Sequence, residues 1–287
     1  MIELLQNSSL FFISITAVLG LLVGSFLNVV IYRLPIMMEH EWQTQCNELN
    51  GVEDKNSAPF TLSQPRSACP HCQHAITAIE NIPVISYLFL GGKCRDCRAP
   101  ISIRYPIIEM LTGLLSAIVA YYFGFDWACL GALLLTWALI ALTFIDVDHQ
   151  LLPDSLTLPL LWLGISFNFY GQFTTLEASV IGAIAGYLSL WSVYQIFKLV
   201  TGKEGMGYGD FKLLAALGAW LGWSFLPSII LLSSLVGAVV GLSLILFRRH
   251  QSDIPIPFGP YLATAGWIAL VWGESINTAY LNWAGLA

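Results

Sequence analysis

Charge is scarce in this sequence: Asp, Glu, Lys and Arg together make up 10% of its 287 residues, where a soluble globular chain carries about 25%. The scarcity excludes an ordinary soluble domain. There is no basic surplus, the formal net charge being -6, so nucleic acid is not an expected partner. No Gly-x-Ser-x-Gly motif is present, and no Ser/His or Cys/His constellation stands out for nucleophilic catalysis. No glycine-rich nucleotide loop marks a cofactor site. The first apolar stretch has no cationic region before it, so it is expected to be a retained span and not a cleaved signal.

What is abundant is hydrocarbon. Hydrophobic residues are 56% of the chain and the mean hydropathy is +0.71. Apolar segments run over residues 10–32, 105–124, 127–145, 156–172, 177–198, 211–222, 225–246 and 258–273. A spanning helix needs about 20 such residues, which predicts an all-α polytopic membrane protein of about eight transmembrane helices in a lipid bilayer. The segment 211–222 is short for a full crossing and would need protein around it. Gly124-Phe125-Asp126, Gly171-Gln172-Phe173 and Gly222-Trp223-Ser224 read as tight hairpins between antiparallel spans.

The 12 Lys and Arg residues all fall in or beside the loops after the first, third, fifth and seventh segments. Cationic loops mark the cytoplasmic side, which puts both termini on the other side. The division expected is a first helix at 1–32, a cytoplasmic loop domain at 33–104 and a membrane core at 105–287. Residues 39–64 read as irregular, and 47–59 as mobile.

The loop domain carries Cys69-Pro70-His71-Cys72 and Cys94-Arg95-Asp96-Cys97. Two C-x2-C knuckles supply four thiolates for a tetrahedral zinc ion, and a fully protein-ligated site is structural. Disulfides are the competing reading, disfavoured in a reducing cytoplasm. His71 and His74 are expected beside the site and not in it. Cys129 reads as a packing residue, and Cys46 suggests no role.

Acidic residues at the edge of hydrocarbon are costly and suggest function. Asp146 closes the apolar run Leu139–Ile145, and Gly207-Tyr208-Gly209-Asp210 opens the segment at 211. Two such carboxylates in one site can divide acid and base roles, one activating water against a peptide carbonyl while the other gives a proton. The glycines at 207 and 209 suggest close backbone approach and unusual dihedrals. Pro153-Asp154-Ser155 reads as a helix start with Asp154 or Ser155 as its cap, and Asp148 as a partner or a solvated acid. Lys212 is placed either to hold Asp210 ionised or to snorkel. From the residues alone, catalysis and ion handling by Asp146 and Asp210 remain equally open.

The ordered set of motifs resembles the bacterial type IV prepilin peptidase family, GxGD-type intramembrane aspartic proteases. It comprises Gly24-Ser25-Phe26-Leu27-Asn28 running to Pro35, both knuckles, Ser102-Ile103-Arg104-Tyr105-Pro106 with Glu109, Asp146-Val147-Asp148-His149, Gly207–Asp210 and Pro257-Phe258-Gly259-Pro260. The resemblance implies a cytoplasmic-membrane enzyme with Asp146 and Asp210 as catalytic aspartates and Cys69, Cys72, Cys94 and Cys97 as zinc ligands. It implies cleavage of the basic leader after a glycine in prepilins and pseudopilins of type IV pili and type II secretion. It further implies N-methylation of the new N-terminal residue with S-adenosylmethionine. Gly24, Asn28 and Tyr32 share a helix face that either lines a substrate groove or packs. For Glu109 the choice is a structural partner of Arg104 or Lys212, or a part in methyl transfer. An ion-coupled carrier and a non-enzymatic assembly platform are the competing classes; one-sided acids argue against a carrier, whose ionisable groups lie near the midplane.

Overall fold

A computed structural model describes residues 2–51, 60–248 and 257–283. Among the described residues its regular elements are all helices, without a β-strand. Two compact units divide after Phe125.

The first unit holds α1 (Ile2–Asn7), α2 (Ser9–Leu49), α3 (Ile85–Phe89) and α4 (Arg104–Phe123), with the cysteine module between α2 and α4. Ser8 caps α2, its hydroxyl accepting the Phe11 N–H. The helix expected to end at residue 32 runs on to Leu49 with Pro35 inside it. Pro35 removes one backbone donor, but good helix formers (Met37, Met38, Glu39, Glu41, Gln43) carry the helix on. Residues 39–49 are therefore helical and not irregular, and 52–59, within the stretch expected to be mobile, lie outside the described residues. Gly20 and Gly24 bring α2 against α4: a Cβ on Gly24 would lie 2.8 Å from Glu109 Cα, and one on Gly20 2.9 Å from Gly113 Cα. Small residues four apart let membrane helices approach in this way.

The second unit holds α5 (Trp127–His149), α6 (Asp154–Phe169), α7 (Leu176–Thr201), α8 (Tyr208–Leu221), a 3-10 turn (Trp223–Phe225), α9 (Leu226–Arg248) and α10 (Gly259–Trp283). Gly171 and Gly222 both have positive φ, as the hairpin reading requires, and so has Gly124 at the end of the first unit. Helix α8 is too short to cross a bilayer alone, yet Phe211 and every residue from Leu213 to Leu221 are buried, with α6, α7 and α10 around it. Its last carbonyls are satisfied from the side. Asn168 Nδ2 donates to Ala219 and Trp220 O at 2.8 and 2.9 Å, and Trp220 Nε1 donates to Leu160 O at 2.8 Å. A short helix is tolerated at that depth because protein supplies the partners that lipid lacks.

Where α7 meets α8, a Cβ on Gly182 would collide with the Gly218 carbonyl, and one on Gly218 with that of Gly182. Gly182→Ala is therefore expected to lower the stability of the detergent-solubilised protein by about 1–3 kcal/mol, as overpacking does. Thermal unfolding followed by circular dichroism measures it, and an unchanged midpoint would contradict this packing.

Among the described residues, five stretches are long and apolar enough to cross a membrane: Ser9–Leu49, Arg104–Phe123, Trp127–His149, Leu176–Thr201 and Trp223–Ser243. The other three expected spans correspond to α6, α8 and α10. Large apolar side chains such as Leu22, Phe26, Ile184 and Val193 face outward, as lipid-facing positions do.

Candidate functional site

In the first unit each C-x2-C pair forms the same turn. The Cys69 N–H donates to His74 O and the Gln73 N–H to Cys69 O; the Cys94 N–H donates to Ala99 O and the Arg98 N–H to Cys94 O. Gln73 and Arg98, each just after the second cysteine of its pair, both take positive φ, 61° and 58°. The paired C-x2-C spacing shows the repeat in the sequence, but not the positive φ after each pair, because neither position is glycine. The four sulfurs lie within 4.8 Å of one another, with Cys69 Sγ 3.7 Å from Cys97 Sγ and Cys72 Sγ 3.9 Å from Cys94 Sγ. Thiolates about 2.3 Å from a tetrahedral zinc ion stand roughly 3.8 Å apart, so the set fits that ion. All four are free thiols and not disulfides. Backbone N–H groups of Cys72 and His71 directed at Cys69 hold its thiol down to about 6, which favours a thiolate there, while at Cys72, despite a backbone N–H from His74, burial and then the neighbouring sulfurs push the thiol up.

His74 is not part of the sulfur cluster. Its Nδ1 lies 2.8 Å from Asp96 Oδ2 and its Nε2 3.2 Å from Glu80 Oε2, tying one knuckle to the other. The Thr77 N–H and hydroxyl, and then His74, hold the Glu80 carboxyl at about 2, so it is ionised at neutral pH. Sequence reasoning missed Glu80, which has no spacing signal of its own. Groups that orient metal ligands typically contribute about 10–100-fold to metal affinity. Glu80→Ala is thus expected to weaken zinc retention by about tenfold or more; competition with a chromogenic chelator reads this, and wild-type retention would contradict it.

Glu109 is buried, and its Oε2 accepts the Val84 N–H at 2.7 Å. It serves the module's backbone, which neither expected partner, Arg104 or Lys212, anticipated. Asn28 packs, donating to Tyr105 O at 3.2 Å and to Gly24 O at 3.3 Å, whereas Tyr32 is exposed. The shared face therefore divides between packing and an open surface. Cys129 is buried and Cys46 exposed.

In the second unit, Asp146 lies in the last turn of α5 and Asp210 in the first turn of α8, both buried. The Gly259 N–H, at the start of α10, donates to Asp146 Oδ2 at 3.0 Å. A Cβ on Gly259 would lie 2.6 Å from that oxygen, which fixes glycine there. Leu152 bridges the two acids' surroundings: it lies 3.2 Å from the same Cβ position and 2.7 Å from one built on Gly209, next to Asp210. Oδ1 of Asp210 is buried without a hydrogen-bond partner, a condition rare enough to need a reason.

Gly207 is extended, with φ -80° and ψ 150°, and α8 begins at the next residue. Neither Gly207 nor Gly209 has positive φ, so the unusual dihedrals expected there are absent. At Gly209 the need is space for Leu152.

Asp154 does not cap α6: it is the first helical residue, after Pro153, and both its oxygens accept from Lys212 Nζ at 2.7 Å. Lys212 is thereby committed away from Asp210. With both partners partly exposed, Lys212→Ala is expected to change stability by less than about 1 kcal/mol and to leave the rate of the site's reaction within about twofold of wild type. A loss of more than tenfold would place Lys212 in the chemistry. Asp148 is exposed.

Residues 18–123 match the family model described as the bacterial peptidase A24 N-terminal domain, and residues 133–242 that of the type IV leader peptidase family. Proteins named prepilin leader peptidase/N-methyltransferase are similar along the whole chain. That of Aeromonas hydrophila is 60% identical, covering 98% of each chain. Those of Stutzerimonas stutzeri and Pseudomonas aeruginosa are 59% and 57% identical, covering 99% of each. No solved structure matches. With both family models in order along the chain and relatives this similar from end to end, the chain belongs to the type IV leader peptidase family.

Proposed function

We propose that this protein removes the leader peptide of prepilins and pseudopilins at the cytoplasmic face of the cytoplasmic membrane, and then N-methylates the new N-terminus. Support for the reaction comes from relatives named prepilin leader peptidase/N-methyltransferase that are 57–60% identical. The observation that carries the mechanism is the pair Asp146 and Asp210, buried beside Leu152, with one oxygen of Asp210 unpartnered.

Asp146 and Asp210 act as one unit around a water molecule. The anionic carboxylate takes a proton as the water oxygen bonds to the carbonyl carbon, while the protonated partner gives its proton to the carbonyl oxygen, leaving a diol. The first carboxyl then passes its proton to the leaving nitrogen as the C–N bond breaks, and a hydroxyl of the diol returns a proton to the second, which restores the pair. The Gly259 N–H holds Asp146 in place. The products are a leader ending in a carboxylate and a pilin beginning with a free amine. Methyl transfer draws on S-adenosylmethionine, which supplies an electrophilic methyl group.

The substrate suits this depth. A basic leader followed by an apolar helix puts its scissile bond at the membrane surface, and the cationic loops support a cytoplasmic position for the acids. Cleavage after glycine agrees with a site where Leu152 already crowds two glycines. Asp148 is exposed, and an acid at that surface attracts the basic leader. Zinc held by Cys69, Cys72, Cys94 and Cys97 has a structural role, since four thiolates leave no open position.

Mass spectrometry of a prepilin-like substrate incubated with the protein in membranes tests the reading. The expected product lacks the leader and carries one added methyl group. A substrate left at full length would contradict cleavage, and an unmodified amine would contradict methyl transfer.

A further inference from the structure

Beside the cysteine module, the first unit contains a cavity of about 610 Å³, lined among others by Ser25, Asn28, Asn81, Tyr87, Tyr105 and Glu109. Small-molecule sites are typically about 300–1,000 Å³, mostly apolar with a few converging polar groups. Its lining includes neither aspartate of the pair, and it touches the sulfur cluster at Cys69 and Cys94.

Glu109 in its wall is 8% exposed. Its Oε2 accepts the Val84 N–H, while the Ser25 hydroxyl in the same wall donates to Asn81 Oδ1 at 3.5 Å. A carboxylate has about four acceptor positions, so the Val84 contact leaves it capacity. A charge buried at the edge of hydrocarbon calls for compensation, which a neutral N–H gives only in part.

The residue that Glu109 holds is itself strained. Val84 has φ 59° and ψ -46°, and the Ile85 N–H closes the three-residue turn onto Pro83 O. This is the γ-turn of rare, strained sign, here built on a β-branched side chain that avoids positive φ. Such strain persists where the surroundings over-determine it, and it clusters at ligand clamps. Cavity, buried carboxylate and strained turn thus meet at one place.

We propose that this cavity binds the methyl donor, an adenosine-bearing sulfonium amino acid, with Glu109 as the anionic group that meets the donor's positive charge. The inference rests on the methyl-transfer reading above. The size suits the donor, and the Tyr87 and Tyr105 rings suit a flat base or a sulfonium. In the transfer the neutral amine of the new N-terminus forms the C–N bond, the C–S electron pair stays on sulfur as a neutral thioether, and the product amine is a secondary ammonium whose proton goes to solvent. Glu109 binds and orients; it exchanges no proton.

The test uses the full-length, zinc-loaded protein in nanodiscs and S-adenosylmethionine labelled in its methyl group. Equilibrium dialysis measures binding, and ultraviolet-induced label transfer with peptide mapping locates it. Label is expected in peptides spanning residues 81–109. Glu109→Gln is expected to weaken binding at least tenfold while zinc content and melting temperature stay at wild-type values. Ser86→Trp, which fills the cavity from α3 without altering Glu109, is expected to do the same, and decides the matter if the first variant misfolds. If wild type binds and methylates while both variants bind as tightly, or if label maps to the second unit, the cavity assignment is wrong. If wild type neither binds the donor nor methylates, the methyl-transfer reading itself fails, and this site with it.

Discussion

Replacing Asp210 by asparagine is expected to slow leader cleavage by about 10³-fold or more, the range of a lost general acid or base, without lowering the melting temperature. The amide keeps the shape of the side chain but cannot take or give the proton that peptide hydrolysis moves. Removing a buried charge relieves a desolvation cost, so stability holds or rises. A 10³-fold loss corresponds to about 4 kcal/mol of transition-state stabilisation, far more than any packing change at an isosteric substitution would give. Asp146→Asn is expected to behave alike, since its amide oxygen still accepts from the Gly259 N–H and only the proton chemistry is lost. Initial rates of leader release from a prepilin-like substrate read both effects. A rate within about tenfold of wild type for either variant would assign the chemistry elsewhere.

Removing a sulfur ligand should have the other large effect, on structure. Between residues 60 and 103 the buried residues are Cys69, Pro83 and Cys94. The module therefore has almost no apolar core, and two isolated β-bridges, Ala68 with Ala75 and Lys93 with Pro100, join its turns. A metal ion takes the place of a core in such a domain, and structural zinc contributes about 10–16 kcal/mol in small metal-folded domains. Cys72→Ser is expected to abolish stoichiometric zinc and to open residues 66–101 to proteolysis. Elemental analysis and limited digestion measure these effects. Undiminished zinc in the variant would contradict ligation by four thiolates. Loss of the module should also remove the cavity that Tyr87 and Asn81 line, so methyl-donor binding should fall with zinc content.

Much of this was legible in the sequence because the chemistry is conspicuous against hydrocarbon. A carboxylate ending an apolar run, as Asp146 does, or opening one, as Asp210 does, has few reasons to be there. Paired C-x2-C spacing constrains geometry directly, and the sulfurs gather as it implies. The hairpin glycines at 124, 171 and 222 carry the backbone conformation their residue type suggests.

The remainder depends on contacts that leave no local pattern. Pro35 looks like a helix end, but the polar helix formers after it outweigh one missing donor. Glu109 meets Val84 across 25 residues, and no periodicity foretells a bond to the backbone of a strained turn. Lys212 lies two residues from Asp210 in sequence yet reaches Asp154, because the choice follows side-chain direction and not separation. Gly182 and Gly218 need each other's missing side chains, and either alone reads as an ordinary membrane glycine. The short helix α8 looks inadequate as a span until Asn168 and Trp220 are seen to complete its hydrogen bonding.

The central claim is that Asp146 and Asp210 form one catalytic unit. Its most direct test is leader cleavage measured side by side in the same membranes for wild type, Asp146→Ala, Asp210→Ala and the double variant. Groups acting as a unit are far from additive, so all three variants should fall to the same background rate, the double no slower than either single. A single variant that cleaves at the wild-type rate would contradict the account.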